Sequence, residues 1–164
     1  MAEQTSSAGV DFFAKLVEDH TRIEVQLKEL LQAADALNRG EDTDAGLAVM
    51  KRTLQFFATE GARHEELEER TLFPHLRGRA AFTQILSAFE FQHRMNRTEG
   101  QALAEAIARF APANRHELRR VAVRFAEMHR GHAVAEERAL FPLAASTLPP
   151  DVLAELARAV PKRS

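Results

Sequence analysis

The sequence predicts an all-α fold, an antiparallel up-down four-helix bundle made of two duplicated helical hairpins, with a short C-terminal helix. Three observations predict it. Apolar residues recur at three- and four-residue steps along most of the chain, the spacing that gathers them on one helix face. Residues that stop or start helices cluster at only four places. The second half of the chain also repeats a motif of the first at an offset of 68 residues.

A first helix is expected over 9–38, with Phe12, Leu16, Ile23, Leu27, Leu30 and Leu31 along its apolar side. Asn38-Arg39-Gly40 stops it, and the acidic and hydroxyl residues Glu41-Asp42-Thr43-Asp44 start the next, since glycine suits a helix end and such side chains suit a beginning. The second helix, 44–73, ends at Pro74 and Gly78, because proline lacks the N–H a continuing helix needs. The third covers 81–110 and stops at Ala111-Pro112-Ala113-Asn114. The fourth, 114–141, carries Leu118, Val121, Phe125 and Met128 on one face and ends before Pro142. Thr147-Leu148-Pro149-Pro150 makes a last break before a short helix near 151–160. No stretch alternates with period two over a useful length, which argues against strands. Long helices joined by short loops must fold back on one another. The expected organisation is a disordered stretch at 1–8, the bundle at 9–143, and a C-terminal extension at 144–164 that holds the short helix.

At 164 residues the chain is one domain, long enough to bury roughly 70% of its unfolded surface. Apolar residues at 45% and charged residues at 28% match a soluble globular chain rather than a disordered or fibrous one. No apolar run approaches the ~18 residues of a membrane span. The opening MAEQTSSAGV lacks a basic leader and an apolar core, so no secretory signal is read and a cytoplasmic location is expected. Twenty-two basic and 24 acidic side chains are interspersed, which makes nucleic acid a poor partner. The six arginines between Arg109 and Arg130 are broken up by Glu117 and Glu127 and read as a solvated face. With no cysteine, tyrosine or tryptophan, metal chemistry is left to imidazole and carboxylate.

The repeat points to chemistry. His64-Glu65-Glu66-Leu67-Glu68-Glu69-Arg70-Thr71-Leu72-Phe73-Pro74 lies over His132-Ala133-Val134-Ala135-Glu136-Glu137-Arg138-Ala139-Leu140-Phe141-Pro142, with seven of eleven positions identical. Phe57 and Phe125, each seven residues before its histidine, also superpose. His20 lies 18 residues before Asn38 and His64 lies 20 after Asp44, so both stand about 27–30 Å from the same turn. His93 and His132 are level in the second hairpin by the same count. Packing the hairpins about a pseudo-twofold axis brings four imidazoles to one depth. Glu68 and Glu136, four residues after their histidines, project beside them. Six such groups in an apolar core are costly unless paired, and a pair of cations removes that cost. Imidazole with carboxylate suits iron, manganese or zinc.

Together, His20, the His-x-x-x-Glu-Glu motif at His64 with its Leu-Phe-Pro, His93, and the motif again at His132 resemble the hemerythrin-like family, also called HHE cation-binding domains. The resemblance runs from about residue 9 to residue 143. It implies a non-haem di-iron centre, two iron ions bridged by carboxylate and by oxo or hydroxo groups, that interacts with dioxygen, hydrogen peroxide or nitric oxide. The family's oxygen carriers have a second histidine four residues after that of their third helix, where this chain has Arg97. It is more similar to four-histidine, Glu-rich members, which include an iron-sensing domain. In that group the residue after the second histidine can also ligate, which makes Glu65 a candidate. Glu65 would then fill a position on the ion near His20 and His64, whereas Ala133 would leave its counterpart open.

The expected metal residues are therefore His20, His64, Glu65, Glu68, His93, His132 and Glu136. His129, one turn before His132, is a spare ligand, a hydrogen-bonding neighbour or a solvated side chain. Glu69 and Glu137, at ~140° from their histidines, read as rim partners of arginines, and His75 and His116 as surface residues. Leu72-Phe73-Pro74 and its copy read as an apolar plug and a helix stop. The expected function is a cytoplasmic di-iron protein that binds or turns over a small oxidant or gas. If it turns that molecule over, it is a peroxide- or nitric oxide-consuming oxidoreductase. The alternative is an iron sensor or donor whose fold and partner surface depend on metal occupancy. No dedicated catalytic residue is legible, and the oligomeric state is left open.

Overall fold

The computed structural model describes residues 3–160. They form five helices and no strand: α1 (Glu3–Asn38), α2 (43–76), α3 (Thr83–Ala108), α4 (115–147) and α5 (Pro150–Ala159). Each hairpin packs its two helices together, α1 with α2 and α3 with α4, and the hairpins join chiefly along α1 and α4. The fourth side, between α2 and α3, is the least closely packed. None of the described helices is long and apolar enough to cross a membrane.

The first turn is built as its residues require. Gly40 takes a φ of 81°, the left-handed conformation that costs glycine least. The N–H groups of Gly40 and Glu41 then close back on the carbonyls of Leu37 and Ala36, both at 3.0 Å, the double closure of a Schellman end. Asp42 Oδ1 accepts the Ala45 N–H at 3.1 Å and caps α2.

Three expectations are corrected. Residues 3–8, read as disordered, continue α1, since no proline interrupts them; Met1, Ala2 and residues 161–164 lie outside the described residues. Neither motif proline stops its helix: α2 runs on to Leu76 and α4 to Thr147. Each proline follows a π turn, Glu68–Leu72 or Glu136–Leu140. There the hydrogen-bond ladder shifts to a wider spacing, which accommodates a residue with no N–H. Finally, the segment after 143 belongs to the packed body, because Ala144, Leu148 and Leu156 are buried in the core and α5 lies on α1.

The core is in two parts. The lower part gathers Phe12, Leu16, Leu72, Phe73, Phe82 and Phe141 around the C-terminal segment. The upper part gathers Leu27, Leu30, Met50, Leu103, Leu118 and Phe125 beneath the inter-helix turns of the hairpins. Between them lies a polar layer.

Candidate metal centre

Four histidines and two glutamates make up that layer, and all six are buried. They come from four helices: His20 from α1, His64 and Glu68 from α2, His93 from α3, His132 and Glu136 from α4. Within each hairpin the two imidazoles meet nitrogen to nitrogen. His20 Nε2 is 3.2 Å from His64 Nε2, and His93 Nε2 is 3.0 Å from His132 Nε2. Two nitrogens bound at right angles to one ion at ~2.1 Å would stand ~3.0 Å apart.

The carboxylates do not keep to their own halves. Glu136 reaches both, its Oε2 3.0 Å from His20 Nε2 and its Oε1 2.9 Å from His132 Nε2. Glu68 follows His64 in sequence, yet its Oε2 is nearer to His93 Nε2, at 3.3 Å, than to His64 Nε2, at 3.8 Å. Neither oxygen of Glu68 is satisfied by a hydrogen bond, although the side chain is fully buried. Two overlapping groups of donors result: His20, His64 and Glu136; and Glu68, His93, His132 and Glu136. Glu136 thus belongs to both groups and joins the two halves of the layer.

The outward nitrogens show what the layer is arranged for. His20 Nδ1 lies 2.7 Å from Glu137 Oε1, His93 Nδ1 2.8 Å from Glu69 Oε1, and His132 Nδ1 2.8 Å from Gln92 Oε1. His64 Nδ1 faces Asp19 Oδ2 at 3.6 Å. An Nδ1–H that donates to such an oxygen leaves Nε2 as the lone-pair nitrogen, the tautomer a ligating histidine needs. Three imidazoles so bonded, with His64 beside them, bring their Nε2 atoms together in one buried region, where cations can take the lone pairs. Nitrogen and oxygen donors in this mix fit iron, manganese or zinc.

Sequence reasoning missed these outer partners. Glu69 does more than pair with Arg97 at the rim, and Glu137 meets His20 instead: the π turns, which take an extra residue to close, draw both round towards the imidazoles. Asp19 and Gln92 carried a readable signal, since each immediately precedes a candidate histidine in its copy of the repeat.

Phe73 stacks on the His93 ring with centroids 5.5 Å apart, and Phe141 on His20 at 5.8 Å. They close the lower side of the layer.

Glu65 is not brought to the converging nitrogens. Its Oε2 is held by Arg97 at 2.7 Å, and Glu65 forms with Glu69 and His93 a third, less buried group that could hold an ion. An i+1 side chain turns ~100° away from His64, and the Arg97 guanidinium captures it. His129 stands outside the donor groups. Its Nδ1–H donates to the Phe125 carbonyl at 3.0 Å, and its ring lies against Phe125 and Phe57. Burial holds its pKa down at about 4, against the Phe125 bond that favours the charged form. His116 is exposed and His75 half-buried.

Without a cation, protons compensate the charge. Burial opposes charging His93, but the Glu136 and Glu68 carboxylates beside it outweigh that and push its pKa up to about 11. Burial and the neighbouring charge of Glu136 raise Glu68 above the usual carboxylate range. Burial acts on Glu136 too, yet His132 and His20 outweigh it and hold Glu136 well below that range. The layer thus holds one firmly ionised carboxylate, one reluctant one, and protons that a cation can replace.

Fold and site together define a class: an all-α bundle protein with a buried imidazole–carboxylate centre for cations. The comparisons agree, for the family model of the hemerythrin HHE cation-binding domain matches residues 11–154. The chain belongs to the hemerythrin HHE family. No curated protein and no solved structure matched in the same comparisons.

The outer hydrogen bonds give a test. Glu69→Gln and Glu137→Gln keep an acceptor for Nδ1 but remove its charge, and each is expected to weaken metal binding about 10-fold, towards the lower end of what such neighbours contribute. Calorimetric metal titration measures it. Unchanged affinity in both variants would mean that these bonds do not set the imidazoles.

Proposed function

We propose that the layer holds two iron ions and that the protein binds or turns over a small oxidant or gas: dioxygen, hydrogen peroxide or nitric oxide. One observation carries the reading: four imidazole Nε2 atoms and two carboxylates converge while each Nδ1 faces an oxygen outside them. Charge favours two divalent ions over one. Glu68 and Glu136 inside the layer and Glu69 and Glu137 on its imidazoles supply four carboxylates, enough to balance two such cations.

Bound iron would supply a Lewis-acidic, redox-active position for a small ligand. The chain's own contribution is to orient and to exclude water. Glu69, Glu137 and Gln92 fix the imidazole planes, and Phe73 and Phe141 keep water from the lower face. An apolar core on each side of the layer supports a centre carried by a stable bundle, rather than a fold that depends on its metal.

Anaerobic reconstitution with Fe(II), followed by titration with dioxygen, peroxide and nitric oxide, tests the reading. Roughly two irons per chain are expected from the two donor groups. Oxidation should give near-ultraviolet ferric absorption with no visible phenolate band, because the chain contains no tyrosine. Retention of a single zinc ion, with no spectral response to any of the three, would overturn the proposal.

A further inference from the structure

A cavity of about 670 Å³ opens between α2 and α3 and reaches inward to His20, His64 and His132. It is far too large for a diatomic gas, given that a water molecule occupies about 30 Å³ of liquid, and it falls in the range of pockets that bind organic molecules.

The repeat shows how the cavity arises. Aligning the hairpins on their histidines sets Asn96 and Gly100 of α3 against Ile23 and Leu27 of α1. It likewise sets Gly61 and Ala62 of α2 against His129 and Arg130 of α4. On the α1–α4 side Leu27 fills the interior, and Arg130 closes the seam on Glu24 with bonds of 2.8 and 2.9 Å. On the α2–α3 side the same places hold small residues, and the helices leave a gap. The void is therefore a local departure from a plan that the other half carries out closed.

The departure is also polar at one point. Asn96 is 3% exposed, lines the cavity, and has no hydrogen-bond partner for either its Oδ1 or its Nδ2. A buried amide left this way costs stability, and the equivalent residue in the other hairpin is an isoleucine. Nearby, His129 donates its Nδ1–H to Phe125 and so turns an acceptor Nε2 to the cavity it lines. Phe57 and Phe125 supply aromatic wall. Among the described side chains that line the cavity, both arginines are already paired, Arg70 with Glu66 at 3.0 Å. Arg97, at the mouth, is already held by Glu65 and Glu69, and Glu66 is beside them.

We propose that this cavity binds an uncharged organic molecule with an apolar, ring-sized body and a carboxamide-like end, the end pairing with Asn96 and the body lying against the wall made by Phe57 and Phe125, whose rings touch with centroids 4.9 Å apart. An amide presents a donor and an acceptor side by side, as Asn96 requires. The site does not depend on which cation fills the neighbouring centre, since neither Asn96 nor His129 belongs to the converging donors.

Calorimetric titration of the purified, iron-loaded protein with 2-naphthamide and with 2-naphthoate tests this. Saturable binding of the amide is expected, at least about 10-fold tighter than that of the anion. Gly100→Leu should weaken it at least about 10-fold: the new Cβ would meet only Phe125, at 3.6 Å, and the side chain would occupy the part of the void beside that ring. Leucine is also the better helix former, so weaker binding could not be blamed on a weakened fold. Asn96→Leu should weaken the amide about 10-fold and raise the unfolding midpoint of the unliganded protein, because two unsatisfied buried atoms disappear. The proposal is overturned by no saturable binding at about 1 mM, by naphthoate binding as tightly as the amide, by full binding to Gly100→Leu, or by a lowered midpoint in Asn96→Leu. Repeating the titration after iron is chelated separates this site from the centre: amide binding that persists without iron stands whatever becomes of the di-iron reading.

Discussion

Glu136→Ala is expected to empty both halves of the metal centre, with affinity for Fe(II) falling more than about 100-fold, beyond what removing a ligand's hydrogen-bond neighbour costs. The reason is positional. One oxygen of Glu136 lies 3.0 Å from His20 Nε2 and the other 2.9 Å from His132 Nε2, so this carboxylate belongs to both donor groups. His64→Ala and His132→Ala each remove one nitrogen from one pair, and each should leave the opposite half better occupied than Glu136→Ala does. Glu136→Gln keeps the volume and an acceptor, so it separates loss of charge from loss of packing; it should retain the helical circular dichroism and still lose most iron. Metal analysis after dialysis reads the result. Full occupancy of one ion in the Glu136 variants would show that the halves are independent and that the fusion has no energetic weight.

Metal binding should tighten by about 10-fold per pH unit for each proton displaced, hence about 100-fold between pH 6.5 and 8.5 from His93 alone. In the metal-free protein the dependence runs the other way. His93 has its pKa raised to about 11, so its contribution to folding is complete below its ordinary value of about 6.5 and is lost as pH rises towards 11. Glu68 is raised as well; its protonated form is favoured in the fold, and ionising it at higher pH also destabilises. Glu136 is depressed, so its contribution is present above the ordinary carboxylate pKa and is lost as pH falls through the folded value. Metal-free protein should therefore become less stable from pH 6.5 to 8.5, while the stabilisation gained on loading grows. At free metal about 1,000 times Kd, the gain is about 4 kcal/mol, or about 8–16 °C in Tm for a chain of this size. Chelator competition and thermal unfolding at several pH values measure both trends. Affinity that does not change with pH would show that no imidazole proton is exchanged for the cation.

Much of this was legible because the chain states its plan twice. The three- and four-residue apolar steps, Gly40 and the level positions of His20, His64, His93 and His132 were enough for the bundle and for which imidazoles share a layer, since a helix converts sequence distance into height at a fixed rise. Where the helix departs from ideal, that conversion failed. The turns at Glu68–Leu72 and Glu136–Leu140 carry the chain past Pro74 and Pro142 and bring Glu69 and Glu137 to imidazoles that ideal geometry turns them away from.

The sequence by itself determined the all-α architecture, the duplication, and the six groups that meet in the interior, because periodicity, capping and register are local properties of the chain. Only the tertiary structure decided which partner each group takes. Glu136 spans two helix pairs, Glu68 turns to the opposite hairpin, Arg97 takes Glu65, and the small residues of α2 and α3 open a cavity where their counterparts seal a seam. Each of those outcomes depends on distances between helices, set by how side chains from distant parts of the chain fill the space between them.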